Sequence, residues 1–180
     1  MKILFATSNN HKVREANAVG KEFKIEFVQI QIEYPEIRSE SVSRVAGEGA
    51  RFVFEKIRER VIVEDSGLFI DALNGFPGPY SAFVFRKIGN DGILKLLKEN
   101  RNAKFISAIG YCDSNGVRTF EGIVKGIIAE KPRGNAGFGY DPIFIPENYE
   151  KTFAEDPGLK SRISHRRMAF QKFCNWITNF

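Results

Sequence analysis

The opening of the chain constrains its fold more than any other segment, because it alternates between strand-like and helix-like patterns. Residues 3–6 are all apolar, which is typical of a strand buried on both faces. Residues 7–10 favour turns and helix N-caps, and residues 11–19 have a helical pattern that Gly20 ends. Residues 23–30 then alternate between apolar and polar side chains, as a half-buried strand does. The chain therefore begins with a β-α-β unit.

Later segments predict further strands and a hairpin. Residues 42–60 have apolar side chains at helical spacing and lead into an apolar strand at 61–63. Two alternating segments, 104–112 and 118–128, flank Asp113-Ser114-Asn115-Gly116, which is the strongest hairpin signal in the sequence. Strands mixed with helices predict an α/β fold with a mixed, twisted sheet. No linker interrupts the pattern, so residues 1–180 are expected to form one domain.

The second half of the chain also carries helix signals. Residues 80–99 are predicted to form one or two helices that are split near Gly89, and Asp156-Pro157 is a typical helix start. A short strand is predicted at 142–145. Ser164 is expected to cap a final helix, one face of which consists of apolar residues: Ala169, Phe173, Trp176, Ile177 and Phe180.

Composition excludes several classes of protein. With 43% hydrophobic and 27% charged residues, the chain is neither disordered nor a small disulfide scaffold. Residues 151–180 hold six basic and two acidic side chains, a surplus of four, which suits an anionic partner or a solvated basic helix. Cys112 and Cys174 lie far apart, so we expect reduced thiols and a cytoplasmic protein. No apolar run approaches the roughly 20 residues of a membrane span.

The turn after the first strand is a candidate phosphate site. A helix N-terminus presents backbone N–H groups and a partial positive charge, and Lys12 adds a full charge. The glycine spacing of a P-loop is missing. The simpler interpretation is a well-capped helix with a surface lysine.

Acidic residues form a second candidate site. Glu64-Asp65 follows the predicted strand at 61–63, and ligands of open α/β sheets bind beyond the carboxyl ends of strands. A carboxylate there is well placed to hold Mg²⁺ or to orient a water, and Glu36 could supply a second oxygen. Gly67 would allow a sharp turn behind the carboxylates. Taken singly, Asp65 is equally a turn or cap residue and Glu36 a loop glutamate.

A glycine-rich segment and a basic segment complete the candidates. Glycines on both sides of Phe138 allow a planar ligand to approach closely, and the ring could stack on a base. Lys160 and residues 164–167 place cations near the start of the final helix, where the helix dipole disfavours them, which hints at an anionic or acceptor-rich partner. A loop with one buried aromatic ring and a solvated helix start are the plain alternatives.

Together, these segments resemble the inosine triphosphate pyrophosphatase family, which removes non-standard purine nucleoside triphosphates. The matching motifs extend over essentially the whole chain, in the order and spacing of the family. They are Thr7-Ser8-Asn9 with Lys12, Tyr34-Pro35-Glu36, Glu64-Asp65-Ser66-Gly67-Leu68, Pro77-Gly78-Pro79-Tyr80-Ser81, Phe138-Gly139-Tyr140-Asp141-Pro142-Ile143-Phe144, and Lys160 with Ser164-His165-Arg166.

This resemblance implies a function and an architecture. The function is hydrolysis of ITP, dITP and XTP between the α and β phosphates, with Mg²⁺, to the nucleoside monophosphate and pyrophosphate. The architecture is an elongated mixed sheet flanked by helices that form two lobes around a central cleft, in a homodimer. Neither nucleic acid nor a membrane is implied as a partner.

The resemblance also assigns roles to residues. The triphosphate would be cradled by Thr7, Ser8, Asn9, Asn10, His11 and Lys12. Mg²⁺ would be held by Glu36 and Asp65, and Asp65 is also the candidate base for the attacking water. Ser66 would contact substrate, and the base pocket would be formed by Phe138, Gly139, Tyr140, Asp141, Lys160, His165 and Arg166. Donors from Arg166, Lys160 or His165 aimed at O6 would favour hypoxanthine and xanthine over adenine.

One departure and two alternatives stay open. Many family members have a lysine in the helix before the acidic motif, at a place where this chain has the segment Ala46-Gly47-Glu48-Gly49-Ala50-Arg51. If that lysine contacts phosphate in other family members, either Arg44 or Arg51 replaces it in this chain or the contact is lost. The closest alternative function is a pyrophosphatase for other modified nucleotides. A basic nucleic-acid-binding module is the alternative of another class, and the ordered acidic motifs count against it.

Overall fold

The computed structural model describes residues 1–179, and these contain seven strands and five α-helices. The elements are β1 (Lys2–Ala6), α1 (Asn10–Gly20), β2 (Glu26–Ile30), α2 (Val42–Ile57), β3 (Val61–Ile70), β4 (Pro77–Gly78), α3 (Ser81–Leu96), β5 (Asn102–Asp113), β6 (Gly116–Ile128), β7 (Phe144–Pro146), α4 (Pro157–Ile163) and α5 (His165–Thr178). None of the helices in this part of the chain has the length and hydropathy needed to cross a membrane.

The strands form one mixed sheet in the order β2-β1-β3-β5-β6-β7, with β4 paired to β3 outside this path. β1 runs parallel to both β2 and β3, while β7 and β4 are antiparallel to their neighbours. Helices flank this sheet, and the α/β class with a mixed, twisted sheet is confirmed. The first crossover, from β1 through α1 to β2, is the β-α-β unit that the opening residues predict.

The contacts divide the chain into two compact units. The first unit consists of residues 1–65, residues 107–122 and the C-terminal segment from His165. The second unit consists of residues 66–106 and 123–164. Strands β3, β5 and β6 each contribute residues to both units, because the boundaries fall within these strands.

The first unit has an aromatic core between β1, β2, α1 and α5. The ring of Phe170 packs edge-on against Phe5 and Phe27, with centroids 5.8 and 5.0 Å away. The apolar face of the final helix is confirmed for its described members, which are buried here or pack against this core: Ala169, Phe173, Trp176 and Ile177. Phe180 was assigned to the same face, but it lies outside the described residues. Both cysteines are free, as the sequence predicts, and both are buried.

The second unit has its own core, which is built around Phe105, Phe144 and Phe153. The Phe105 and Phe144 centroids are 4.6 Å apart, and those of Phe144 and Phe153 are 5.4 Å apart. The predicted break in α3 is present, since Gly89 has a φ of 59° and a ψ of −163°. Asp156 caps α4 with its side chain, as the Asp-Pro start predicts.

The strand before the acidic residues is longer than the sequence predicts. β3 continues to Ile70, so Glu64 and Asp65 lie in the middle of a strand and not at its carboxyl end. The prediction of a sharp turn at Gly67 is also wrong, because Gly67 lies within β3. Gly67 faces β4, and a Cβ on it would lie 2.1 Å from the carbonyl oxygen of Gly78, so the glycine serves close strand pairing.

Candidate functional site

The turn between β1 and α1 is held in a fixed shape by side-chain hydrogen bonds. Asn9 caps α1, because its Oδ1 accepts from the backbone N–H of His11 at 2.9 Å and of Lys12 at 3.3 Å. The Asn9 N–H in turn donates to Thr7 Oγ1 at 3.1 Å. Ser8, Asn10 and His11 are exposed. The residues predicted to cradle phosphate therefore form one ordered, solvent-facing turn.

Lys12 does not behave as a surface lysine. Its ammonium lies 2.8 Å from Glu64 Oε2 and donates to the Glu64 carbonyl oxygen, also at 2.8 Å. These two contacts fix the position of the ammonium, and with three hydrogens it can still donate to a further acceptor. The cation predicted for the phosphate site is thus held in place by β3.

Glu64 is the centre of this cluster. Its side chain is fully buried, and its Oε1 accepts from Ser107 Oγ at 2.5 Å and from Arg166 Nε at 3.1 Å. Burial alone would raise the pKa of this carboxyl group. The charges of Arg166 and Lys12, with the hydrogen bonds from Lys12 and Ser107, instead hold the pKa of Glu64 well below its usual range. Glu64 is therefore an anion at every physiological pH.

Arg166 is the second residue of α5, and it is 2% exposed. In addition to its contact with Glu64, its Nη1 donates to Glu15 Oε2 of α1 at 2.6 Å. Burial opposes the charged guanidinium, but these two carboxylates raise the pKa of Arg166 above its ordinary value. Two of its nitrogens are committed to carboxylates of the protein, which limits the hydrogens available to read a base. His165, beside it, is also buried.

The two carboxylates predicted to hold a metal lie near one phenol. Burial raises the pKa of Tyr34 above its ordinary value, and so do the charges of Glu36 and Asp65, with a smaller contribution from Glu64. The ring of Tyr34 packs against α2 at Gly49, where a Cβ would lie 2.9 Å from the Tyr34 Cε2. Glu36 and Asp65 therefore both lie within electrostatic range of the Tyr34 phenol.

This charge suits a hard cation. Within residues 1–179, no group of three or more His, Cys, Asp or Glu side chains is arranged to hold a metal. Mg²⁺ commonly takes only one or two protein carboxylates and completes its shell with phosphate oxygens and water. Two oxygen-donor side chains, Glu36 and Asp65, fit that requirement.

The second unit holds a separate cluster around Asp141. Its Oδ2 accepts from the Phe138 N–H at 2.8 Å and from Lys160 Nζ at 2.7 Å. Both side chains of this ion pair are largely buried, and the Lys160 ammonium lies 4.5 Å from the centroid of the Phe138 ring. Gly137 has a φ of 78°, and a Cβ there would lie 2.2 Å from Asp141 Oδ2. The cluster therefore fixes the loop that carries Phe138.

Tyr140 and Gly139 occupy different positions in this loop. The Tyr140 hydroxyl donates to the carbonyl oxygen of Ser81 at 3.2 Å, and its ring packs edge-on against Phe85 at 5.2 Å. Burial raises the pKa of Tyr140. Gly139 accepts a hydrogen bond from Asn90 Nδ2 at 3.3 Å. Tyr140 therefore anchors the loop to α3. Ser66, which is also predicted to contact substrate, is a half-buried residue of β3.

Sequence reasoning assigned no role to three residues of the cluster around Glu64: Glu15, Ser107 and Glu64 itself. Glu15 follows Lys12 by three residues and so shares its face of α1, which is a signal that could have been used. Glu64 extends an apolar run, and a carboxylate within such a run needs buried partners. Nothing local marks Ser107, whose position depends on strand pairing.

Comparisons with known proteins agree with these motifs. A family model described as the Ham1 family matches residues 3–176. A curated relative from Methanopyrus kandleri, named dITP/XTP pyrophosphatase, is 54% identical over 183 residues, which cover 99% of this chain and 97% of the relative. A protein of the same name from Thermococcus kodakarensis is 46% identical, with coverage of 98% and 97%.

Solved structures agree as well. The structure of a HAM1 protein from Coxiella burnetii matches with a TM-score of 0.85 at 29% identity, and the match covers the whole of both chains. A structure from Mycobacterium abscessus, described as a nucleoside-triphosphatase / dITP/XTP pyrophosphatase, matches with a TM-score of 0.77 at 34% identity. That match covers 96% of this chain and 97% of the other.

Proposed function

Since the chain belongs to the Ham1 family, we propose that it hydrolyses non-standard purine nucleoside triphosphates to the nucleoside monophosphate and pyrophosphate. The observation that carries the proposal is the near full-length similarity to relatives named dITP/XTP pyrophosphatase. The substrates are therefore dITP and XTP, with ITP as the ribose counterpart of dITP. Removal of these nucleotides from the nucleotide pool is the resulting role.

The first unit binds the triphosphate. The N-terminus of α1 offers a partial positive charge, and the oriented ammonium of Lys12 adds a full one beside the exposed turn at Ser8, Asn10 and His11. The hydroxyl of Thr7 and the amide of Asn9 keep this turn in shape. Positive charge at this position stabilises the pyrophosphate as it leaves.

Asp65 and Glu36 hold the divalent cation, for which we propose Mg²⁺. The bound ion would supply positive charge to the phosphate oxygens. Asp65 accepts a proton from the attacking water, whose oxygen forms a bond to the α-phosphorus while the bond to the α-β bridging oxygen breaks. The products are the monophosphate and pyrophosphate.

The second unit contacts the base. The ring of Phe138, whose loop is fixed by Asp141 and Lys160, provides a surface on which a purine stacks. Donors that face O6 would be left badly paired by the 6-amino group of adenine, which supports rejection of ATP. Further contacts with the substrate are proposed for Ser66, Gly139 and Tyr140 of this unit, and for His165 and Arg166 of the first unit.

Three further properties are part of this proposal. The chain works as a homodimer, each subunit being one two-lobed domain over residues 1–180. A reducing, cytoplasmic compartment is supported by the free, buried thiols of Cys112 and Cys174.

A nucleotide panel tests the proposal. Pyrophosphate release is measured for dITP, XTP, ITP, GTP, ATP, dUTP and 5-methyl-UTP, each with Mg²⁺ and again with excess chelator. We expect rapid release from the first three nucleotides, slow release from GTP and ATP, and none in chelator. Preference for the pyrimidine nucleotides would replace the proposed substrate class, and absence of release from every nucleotide would refute the activity.

A further inference from the structure

Glu64 stands apart from the carboxylates that the sequence motifs assign to the metal. It lies next to Asp65 in β3, and successive side chains of a strand point to opposite faces. Its side chain is fully buried, and both of its oxygens contact protein groups: Ser107 and Arg166 on Oε1, Lys12 on Oε2. These contacts leave it unsuited to serve as a metal ligand.

A buried carboxylate is expensive unless it is paired and hydrogen-bonded. Glu64 meets that condition with two cations that come from different helices, Lys12 of α1 and Arg166 of α5. Hydrophobic residues of similar volume would fill the same space without this cost. The pairing therefore indicates a purpose beyond packing.

We infer that Glu64 is a positioning residue, which orients Lys12 for the triphosphate before the substrate arrives; this inference rests on the proposed function. The ammonium is paired with the Glu64 carboxylate and donates to the Glu64 carbonyl oxygen, so its position is fixed before a phosphate arrives. A donor that is already oriented contributes more to a transition state than one that must be ordered during the reaction.

The same carboxylate places Arg166. Arg166 Nε donates to Glu64 Oε1, while its Nη1 donates to Glu15, which lies one helical turn after Lys12. Movement of the Glu64 carboxylate would therefore disturb the cation at the proposed phosphate site and the start of α5 together. A displacement of about 1 Å of a positioned group is enough to cost about 100-fold in rate.

A double-mutant cycle tests this inference with dITP as the substrate. Glu64→Gln keeps the size of the side chain and removes its charge, and Lys12→Met removes the ammonium. If Glu64 acts mainly through Lys12, each variant lowers kcat/KM about 100-fold, and the double variant loses far less than the product of the two single losses. Losses that multiply in the double variant would overturn the inference.

Glu22→Gln is the matched control. Glu22 pairs with Arg167, the neighbour of Arg166, at 2.7 Å, and it lies outside the proposed site. The same chemical change there should leave kcat/KM within about twofold of the wild type. A loss equal to that of Glu64→Gln would show that any charge change on this part of the first unit is harmful, which would also overturn the inference.

Two measurements remain decisive if Glu64→Gln does not fold. Glu64→Asp keeps the charge but shortens the side chain by one methylene group. Wild-type kinetics in this variant would overturn the inference. In the wild-type protein, NMR should detect a resolved ¹H–¹⁵N signal from the Lys12 ammonium, whereas exposed lysines, whose ammonium protons exchange rapidly with water, give no such signal. Absence of the Lys12 signal would count equally against the inference. Failure of the wild type to hydrolyse any nucleotide would refute the proposed function instead, whereas the ammonium signal is read without substrate.

Discussion

The loop that carries Phe138 depends on a glycine whose replacement has a calculable cost. In Gly137→Ala, the backbone keeps a φ of 78°, where an L-residue is strained, at a cost of about 1–2 kcal/mol. The new Cβ would also lie 2.2 Å from Asp141 Oδ2 and must displace that carboxylate. Asp141 is the buried partner of Lys160, and breaking such a pair costs about 3–5 kcal/mol when one charge is left unpaired.

The total is therefore larger than the backbone cost alone. Partial relaxation of the loop recovers some of the ion pair, so we expect the free energy of unfolding to fall by about 3–5 kcal/mol. Urea denaturation followed by circular dichroism measures this change. We also expect KM for dITP to rise, because the Phe138 N–H loses its acceptor.

Gly139→Ala is the control for this prediction. Gly139 has a φ of 61°, but nothing lies within 4 Å of a Cβ built there, so only the backbone cost of about 1–2 kcal/mol applies. If Gly137→Ala proves no less stable than Gly139→Ala, the carboxylate is not held where the structure places it. The assignment of Asp141 and Lys160 as the support of this loop would then be wrong.

Three further predictions concern single side chains. Asp65→Asn should lower kcat for dITP by about 100-fold or more while the melting temperature stays within a few degrees, and near-normal turnover would remove Asp65 from the mechanism. Phe138→Ala should raise KM for dITP by about 5- to 150-fold, the equivalent of a stacking contact of about 1–3 kcal/mol, and an unchanged KM in a folded variant would make Phe138 a packing residue. Burial raises the pKa of Cys174 to about 12, so its thiol stays protonated from pH 7 to 9 and iodoacetamide should modify it only after unfolding; rapid labelling of the native protein would contradict its burial.

Local signals predicted much of the fold. The β-α-β opening, the hairpin around residues 113–116, the break at Gly89 and the start of α4 each depend on a few neighbouring residues, and all four are confirmed. The length of β3 could not be predicted in this way. It continues past Asp65 because β4 pairs with it, and that pairing involves residues about ten positions further along the chain.

The candidate site was predictable to a different degree. Ordered motifs identified the family and singled out Lys12, Asp65 and Arg166, because residue types at fixed positions are visible in a sequence. The partners of these residues were not visible. Arg166 and Glu64 are separated by 102 residues, and their contact exists only once α5 has packed into the core of the first unit. The interpretation of Arg166 as a reader of the base therefore omitted the two carboxylates that already hold it.

The position of bond cleavage tests the central proposal most directly. Hydrolysis of dITP in water enriched in ¹⁸O, with Mg²⁺, is followed by mass spectrometry of both products. If water attacks the α-phosphorus, one ¹⁸O atom appears in dIMP and none in pyrophosphate. Label in pyrophosphate or in inorganic phosphate, with unlabelled dIMP or with dIDP as the product, would contradict the proposal.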